Sequence, residues 1–122
     1  MIKIFESKND LLEIKKNEDK ILKFIKLKRE NLDVNFLSEY LHLHSNVNKN
    51  TIIYFLYKIN EKFYLNIFFK NHIRIPSFKN YFDIETPYGY GGPLTNTKNK
   101  KFLQTANLLF SEWCKNNKII CQ

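Results

Sequence analysis

All three glycines of the chain lie in Tyr88-Gly89-Tyr90-Gly91-Gly92-Pro93, and Pro87 and Pro93 bracket them. Glycine is the default where φ must be positive or where a ligand approaches the main chain closely. Proline on each side fixes φ and restricts the residue before it. The combination predicts a shaped loop with at least one glycine at φ > 0. Shaped loops on rigid scaffolds are where binding sites concentrate. Tyr88 and Tyr90 bring flat apolar area and a hydroxyl, which suits the face of a sugar or a peptide; packing beneath the loop is the competing role. Just upstream, Asp83 offers a carboxylate. Burial would let it act as a general base toward an amine, and the alternative is an edge carboxylate that pairs with a lysine or caps the loop. The candidate substrate-binding residues are therefore Tyr88, Gly89, Tyr90, Gly91, Gly92 and Pro93, with Asp83 as the candidate catalytic residue.

Consecutive amides that feed a helix N-terminus can also cradle an anion. The spelling here matches neither Gly-x-x-x-x-Gly-Lys-Ser/Thr nor Gly-x-Gly-x-x-Gly, and Pro93 removes one donor. Lys98, Lys100 and Lys101 would still place positive charge nearby. A loop that packs against or contacts a substrate is the favoured reading.

Other reactive side chains form no constellation. His42 and His44 are two apart, so on a helix they point to different faces, and His72 stands alone. No metal pair is expected. Cys114 and Cys121 are too few for a disulfide framework and match no zinc spacing, which fits a reducing cytoplasm. Cys114, beside Trp113, reads as a core residue.

The elements that must position the loop follow from periodicity. Ile2 to Phe5 reads as a short strand. From Asn9 to Lys28, Leu11, Leu12, Ile14, Ile21, Leu22, Phe24 and Ile25 recur at helical spacing. Asp10 is placed to cap this stretch, and the polar run Asn17 to Lys20 offers a break into two helices. Phe36, Leu37, Tyr40 and Leu41 share a further helical face. Residues 51–59 and 63–70 are rich in β-branched and aromatic residues, with Asn60-Glu61-Lys62 as the turn of a hairpin. Another extended piece runs from His72 to Ile75, and a strand over 81–86 enters the glycine loop. Phe102, Leu103, Ala106, Leu109, Phe110 and Trp113 mark an amphipathic helix over 99–116. Ile119-Ile120-Cys121 begins a strand that stops at the terminus, as if more chain should follow.

The 122 residues suffice for a single domain, and hydrophobic residues at 43% give a globular composition. No apolar run approaches a membrane span. The net charge of +8 comes almost wholly from lysine, 18 Lys against 2 Arg, beside 16 Asn and 14 Ile. That bias is what an AT-rich genome writes on any surface. The lysines are scattered rather than clustered with arginine, so a solvated surface is favoured over a nucleic-acid patch.

Tyr-Phe-Asp-Ile-Glu-Thr-Pro-Tyr-Gly-Tyr-Gly-Gly-Pro-Leu (Tyr81 to Leu94) resembles a segment of bacterial acyltransferases with the GNAT fold, related to the Fem-type aminoacyltransferases that build peptidoglycan cross-bridges. Asp33-Val-Asn-Phe-Leu-Ser-Glu-Tyr40 is similar to that family's Asp-Val-Tyr-Phe-Leu-Pro-Glu-Tyr, with Asn35 and Ser38 as departures. Phe110 to Ile120 is similar to the helix and strand that follow its loop.

The resemblance implies an α/β chain of the mixed α+β kind, with a largely antiparallel sheet flanked by helices. It implies transfer of an acyl or aminoacyl group to an amine on a cell-wall precursor or sugar. Such proteins carry two GNAT-like halves, and the glycine loop belongs to the first. The donor, acyl-coenzyme A or an aminoacyl-tRNA, is expected at the second. On this reading the chain is a first half, bound to no cofactor and inactive alone. Its partner is a C-terminal half or a second copy. The competing readings are a non-catalytic sugar- or peptide-binding module and, less favoured, a basic nucleic-acid adaptor.

Overall fold

The computed structural model describes residues 1–8, 10–31, 37–48, 51–72, 81–85 and 93–120. The chain begins with β1 (Ile2–Ser7), followed by α1 (Leu11–Ile25), a 3-10 turn (Arg29–Asn31) and α2 (Ser38–Asn48). Two long strands come next, β2 (Thr51–Ile59) and β3 (Lys62–His72), then β4 (Phe82–Glu85), β5 (Leu94–Thr95), α3 (Lys100–Asn116) and β6 (Ile119–Ile120). The fold is mixed α/β, as the sequence predicts.

The strands form one sheet in the order β1-β2-β3-β4-β6, with β5 paired to β3 beside β4. Every pairing is antiparallel except that of β4 with β6. β2 and β3 are its centre. Their turn holds two residues, Asn60 and Glu61, with Asn60 left-handed at φ 54°. Lys62 belongs to the strand, where it pairs with Ile59. The sequence expectation of a three-residue turn was one residue too long, because asparagine tolerates the left-handed region and closes the tighter hairpin.

Alternation in the central strands sends side chains to both faces. Ile52, Tyr54, Leu56, Phe63, Leu65, Ile67 and Phe69 meet Ile14, Ile21, Leu22 and Ile25 of α1 and Leu41 of α2. Ile53, Phe55, Tyr57, Tyr64 and Phe68 meet Phe102, Ala106, Phe110 and Cys114 of α3. Both faces of β2 are covered, which is why it reads as a continuous apolar run rather than an alternating one.

α1 is a single helix. The side chain of Asp10 accepts from the Leu12 amide at 2.9 Å, and Lys26 closes the C-terminus at φ 57°. The break expected at Asn17 to Lys20 does not occur. Asn17 and Glu18 fall on the buried face, one and two turns from Ile14, Ile21 and Ile25. Partners supply what solvent would: the Asn17 side-chain amide bonds to the Ser7 hydroxyl, and Glu18 binds Arg29 and the Ser38 amide. At the far end, Lys58 of β2 donates to the Phe24 carbonyl at 2.9 Å, a cation on the negative end of the helix.

α3 keeps its expected face: Phe102, Ala106, Phe110 and Cys114 are buried, and Leu103, Leu109 and Trp113 are half-buried. Cys114 is a core residue. Full burial of one such aromatic or aliphatic side chain contributes roughly 1.5–3 kcal/mol.

Candidate functional site

The glycine segment is framed by β4 before it and β5 after it. Residues 86–92, and with them Tyr88, Gly89, Tyr90, Gly91 and Gly92, lie outside the described residues, as do Ile73 to Ile75. Pro93 is described and exposed. What the structure defines is where the segment is held.

Both anchors are registered on β3. Glu85 stands opposite Phe69, and Leu94 stands opposite Leu65. Three residues of β3, Asn66 to Phe68, separate those two positions, whereas residues 86–93 separate Glu85 from Leu94. The connecting chain is therefore longer by five residues than an unbroken ladder would need. Extra residues that interrupt a pairing are a common way to re-aim side chains beside a site.

The exit is fastened by side chains. Thr95 donates from its hydroxyl to the Phe63 carbonyl at 2.7 Å, and the Asn96 side chain accepts from the Phe63 amide at 3.0 Å while donating to the Glu61 carbonyl. The Thr97 hydroxyl then accepts from the Asn99 amide at 3.1 Å, and the Asn99 side chain caps α3 through the Phe102 amide at 3.0 Å. The Asn/Thr composition of residues 95–99 is a recognisable turn signal, but its attachment to the hairpin turn depends on tertiary register.

This arrangement corrects the idea of a glycine loop feeding a helix N-terminus. β5 and the turns through Asn99 intervene, and the first turn of α3 already spends an amide on its own cap. The glycine amides and the helix amides are not contiguous in the chain. A pooled phosphate cradle loses its basis.

Asp83 lies on β4, opposite Asn71 of β3 and Ile120 of β6. Its neighbours Phe82 and Ile84 pack on the α3 side, so Asp83 points to the opposite face. It is exposed. Asp83 therefore lacks the burial that would raise a carboxylate toward base chemistry. Lys70 of β3 turns to the α3 side instead, over the Phe82 ring at 4.6 Å and onto Glu6 at 3.1 Å.

Two features escape the sequence reading. Glu18 is 5% exposed and accepts from Arg29 at 3.2 Å and from the Ser38 amide at 3.3 Å. It thereby places a carboxylate at the N-terminus of α2. Arg29 bridges on to Glu39, whose pKa is lowered, first by its own backbone hydrogen bond and then by Lys15 and Arg29. Secondly, the C-terminal end of α1 gathers Lys20, Lys23, Lys26 and Lys28 round an open groove floored by Leu22 and Leu27. These four lysines fall within nine residues of the chain, and the end of α1 brings them to one groove. Among the described residues no three His, Cys, Asp or Glu side chains gather as a metal site, and no helix is long and apolar enough to cross a membrane.

Comparison with protein-family models, curated proteins and solved structures returns no match.

Proposed function

We propose that the side of β3 that carries β4 and β5 is the acceptor-binding region of an acyltransferase of the GNAT type related to the Fem-type enzymes. An acyl or aminoacyl group would pass there to an amine on a cell-wall precursor or sugar. The observation that carries this reading is the interrupted register. A Tyr/Gly/Pro segment with five residues more than the ladder needs is held on β3 at Phe69 and again at Leu65. Fixed ends with a glycine-rich interior are what a loop requires to fit around a ligand without wandering. Two tyrosines in such a segment supply apolar area and hydroxyls to a sugar or peptide.

The acceptor role is favoured over the donor role. A donor pyrophosphate or tRNA phosphate wants pooled amides at a helix N-terminus, and α3 is capped by Asn99 and separated from the glycines by β5. In the reaction the amine nitrogen attacks the acyl carbonyl carbon. The new C–N bond replaces the C–S bond of a thioester or the C–O bond of an aminoacyl ester, and the leaving group takes up a proton. Asp83, exposed on β4, would attract and orient the acceptor ammonium rather than serve as a buried base. Its exposure also sustains a second reading, a non-catalytic module that binds sugar or peptide through the same region.

Titration of an amine-bearing muramyl peptide against the chain, followed by calorimetry and amide NMR, tests the reading. Saturable binding that weakens in Tyr88→Phe or Tyr90→Phe, with shifts centred on β4 and β5, is expected. No binding, or shifts centred elsewhere, overturns it. Amine-dependent release of free thiol from an acyl-coenzyme A separates the enzyme from the binding module.

A further inference from the structure

The two ends of the sheet are unalike. β6 joins β4 at one end, but among the described residues no strand pairs with the outer edge of β1. The Lys58 amide donates to the Met1 carbonyl at 3.0 Å, and the Met1 ammonium donates to the Lys58 carbonyl at 3.1 Å. This reciprocal pair sets the alternation along β1, because bonded and non-bonded pairs alternate in an antiparallel ladder. Lys3, Phe5 and Ser7 turn their backbone groups to β2. Ile2, Ile4 and Glu6 turn theirs outward.

The same three residues carry exposed side chains on the α3 side of the sheet. Ile2 is 42% exposed and Ile4 37%. Free edges are normally guarded by charges, proline or bulges. Here the register is unbroken from Ile2 to Ser7 and the strand holds no proline or glycine. Its charges are engaged elsewhere: the Lys3 ammonium sits over the Phe24 ring at 4.1 Å, and Glu6 is paired with Lys70.

We propose that β1 is the seam of a homodimer, pairing antiparallel with β1 of a second copy about a two-fold axis at Ile4. A two-fold axis normal to the sheet keeps each face on its own side, so the residues that oppose one another share a face. Centred on Ile4, the pairing sets Ile4 against Ile4, Ile2 against Glu6 and Lys3 against Phe5. It uses all three outward-facing residues as bonded pairs. Centred on Lys3 it would set two lysines face to face, and centred on Phe5 it would leave Ile2 unused. The edge is complementary to itself in one register, which favours a second copy over a foreign peptide. This inference is independent of the acyltransferase reading.

Sedimentation velocity of the full chain over a concentration series should show reversible conversion from monomer to a species of twice the mass. Ile4→Pro removes an outward amide and leaves the β1–β2 ladder intact. It should remain monomeric at every concentration and melt like dilute wild type. In a Cys121→Ser background, Ile4→Cys should cross-link to a dimer on oxidation, because opposed bonded residues have Cα atoms about 5.5 Å apart, within disulfide reach. Ile2→Cys should not, since its opposite number is Glu6. A wild-type chain that stays monomeric throughout, including one whose β1 pairs only with an added peptide, overturns the proposal. So does a dimer that survives Ile4→Pro, or cross-linking of Ile2→Cys as ready as that of Ile4→Cys.

Discussion

On one face of the sheet, α1 and α2 cover a core in which aliphatic chains surround buried polar groups: Ser7, Asn17, Glu18, Ser38 and the phenol of Tyr54. On the other, α3 covers a core that is mainly aromatic. There Phe55 meets Phe110 at 5.1 Å and Trp113 at 5.9 Å, Phe68 meets Phe110 at 5.5 Å, and Tyr57 stacks on Phe102 at 5.2 Å. The two faces solve the same burial problem with different chemistry. Directional contacts fix where α1 and α2 sit, since Glu18 must meet both Arg29 and the Ser38 amide. Shape fixes α3, through rings with edge-to-face and tilted neighbours. A directional contact fails when one partner is removed, whereas a packed ring fails when volume is lost.

The largest effect expected from this contrast is a cavity on the aromatic face. Phe110→Ala removes a ring that touches Phe55, Phe68 and Trp113. It should cost about 3–5 kcal/mol, read as a fall in the urea midpoint. A loss below about 1 kcal/mol would mean that α3 is not held by shape. Next is Glu18→Ala on the polar face, which strands the Ser38 amide and leaves Arg29 with Glu39 as its carboxylate partner. The expected loss is about 1–3 kcal/mol, with faster hydrogen exchange in the first turn of α2. If exchange there were unchanged, the carboxylate would not be what anchors that helix.

The smallest and sharpest comparison pairs two tyrosines on opposite faces. The Tyr64 hydroxyl donates to Asn107 at 3.0 Å, and that of Tyr54 has no hydrogen-bond partner among the described residues. Tyr64→Phe should cost about 1 kcal/mol, while Tyr54→Phe should be neutral or stabilising, since it removes an unsatisfied buried group. Desolvation, and then the Glu18 charge, raise the Tyr54 pKa. A phenol with a raised folded pKa contributes stability that is complete below the unfolded value, about pH 10. That contribution is lost as the pH climbs from there through the folded value, because the unfolded chain releases its proton first. Tyr54→Phe should therefore flatten the alkaline limb of the stability profile. An unchanged limb would place the phenol in contact with water.

Much of this architecture is legible in the residues themselves. The apolar repeat from Phe102 to Trp113 marks α3, and the β-branched and aromatic runs mark β2 and β3. Asp10 identifies the start of α1 because a short acceptor before an apolar repeat has one good use. Asn17 and Glu18 were misread as a break for a clear reason. Polar residues on a buried helical face look like an interruption until their partners, which stand ten or more positions away, are brought to them. β5 escapes the sequence reading because Leu94 and Thr95 stand among turn-forming residues and become a strand only by pairing with Leu65 and Tyr64 of β3.

The candidate site divides in the same way. Its composition, Tyr88 to Pro93, is plain in one dimension, and glycine and proline carry that information through their own covalent restrictions. Its placement is not, because the paired positions Phe69–Glu85 and Leu65–Leu94 exist only once β3 has chosen its neighbours. Local propensity and side-chain period are properties of the chain, so the sequence by itself determined the kinds and order of the longer elements and the residues of the central core. Register, the exposure of Asp83, the interposition of β5 and the outward backbone of β1 depend on which strand lies beside which. Those belong to the tertiary structure alone, since hydrogen-bond alternation and burial are set between segments and not within them.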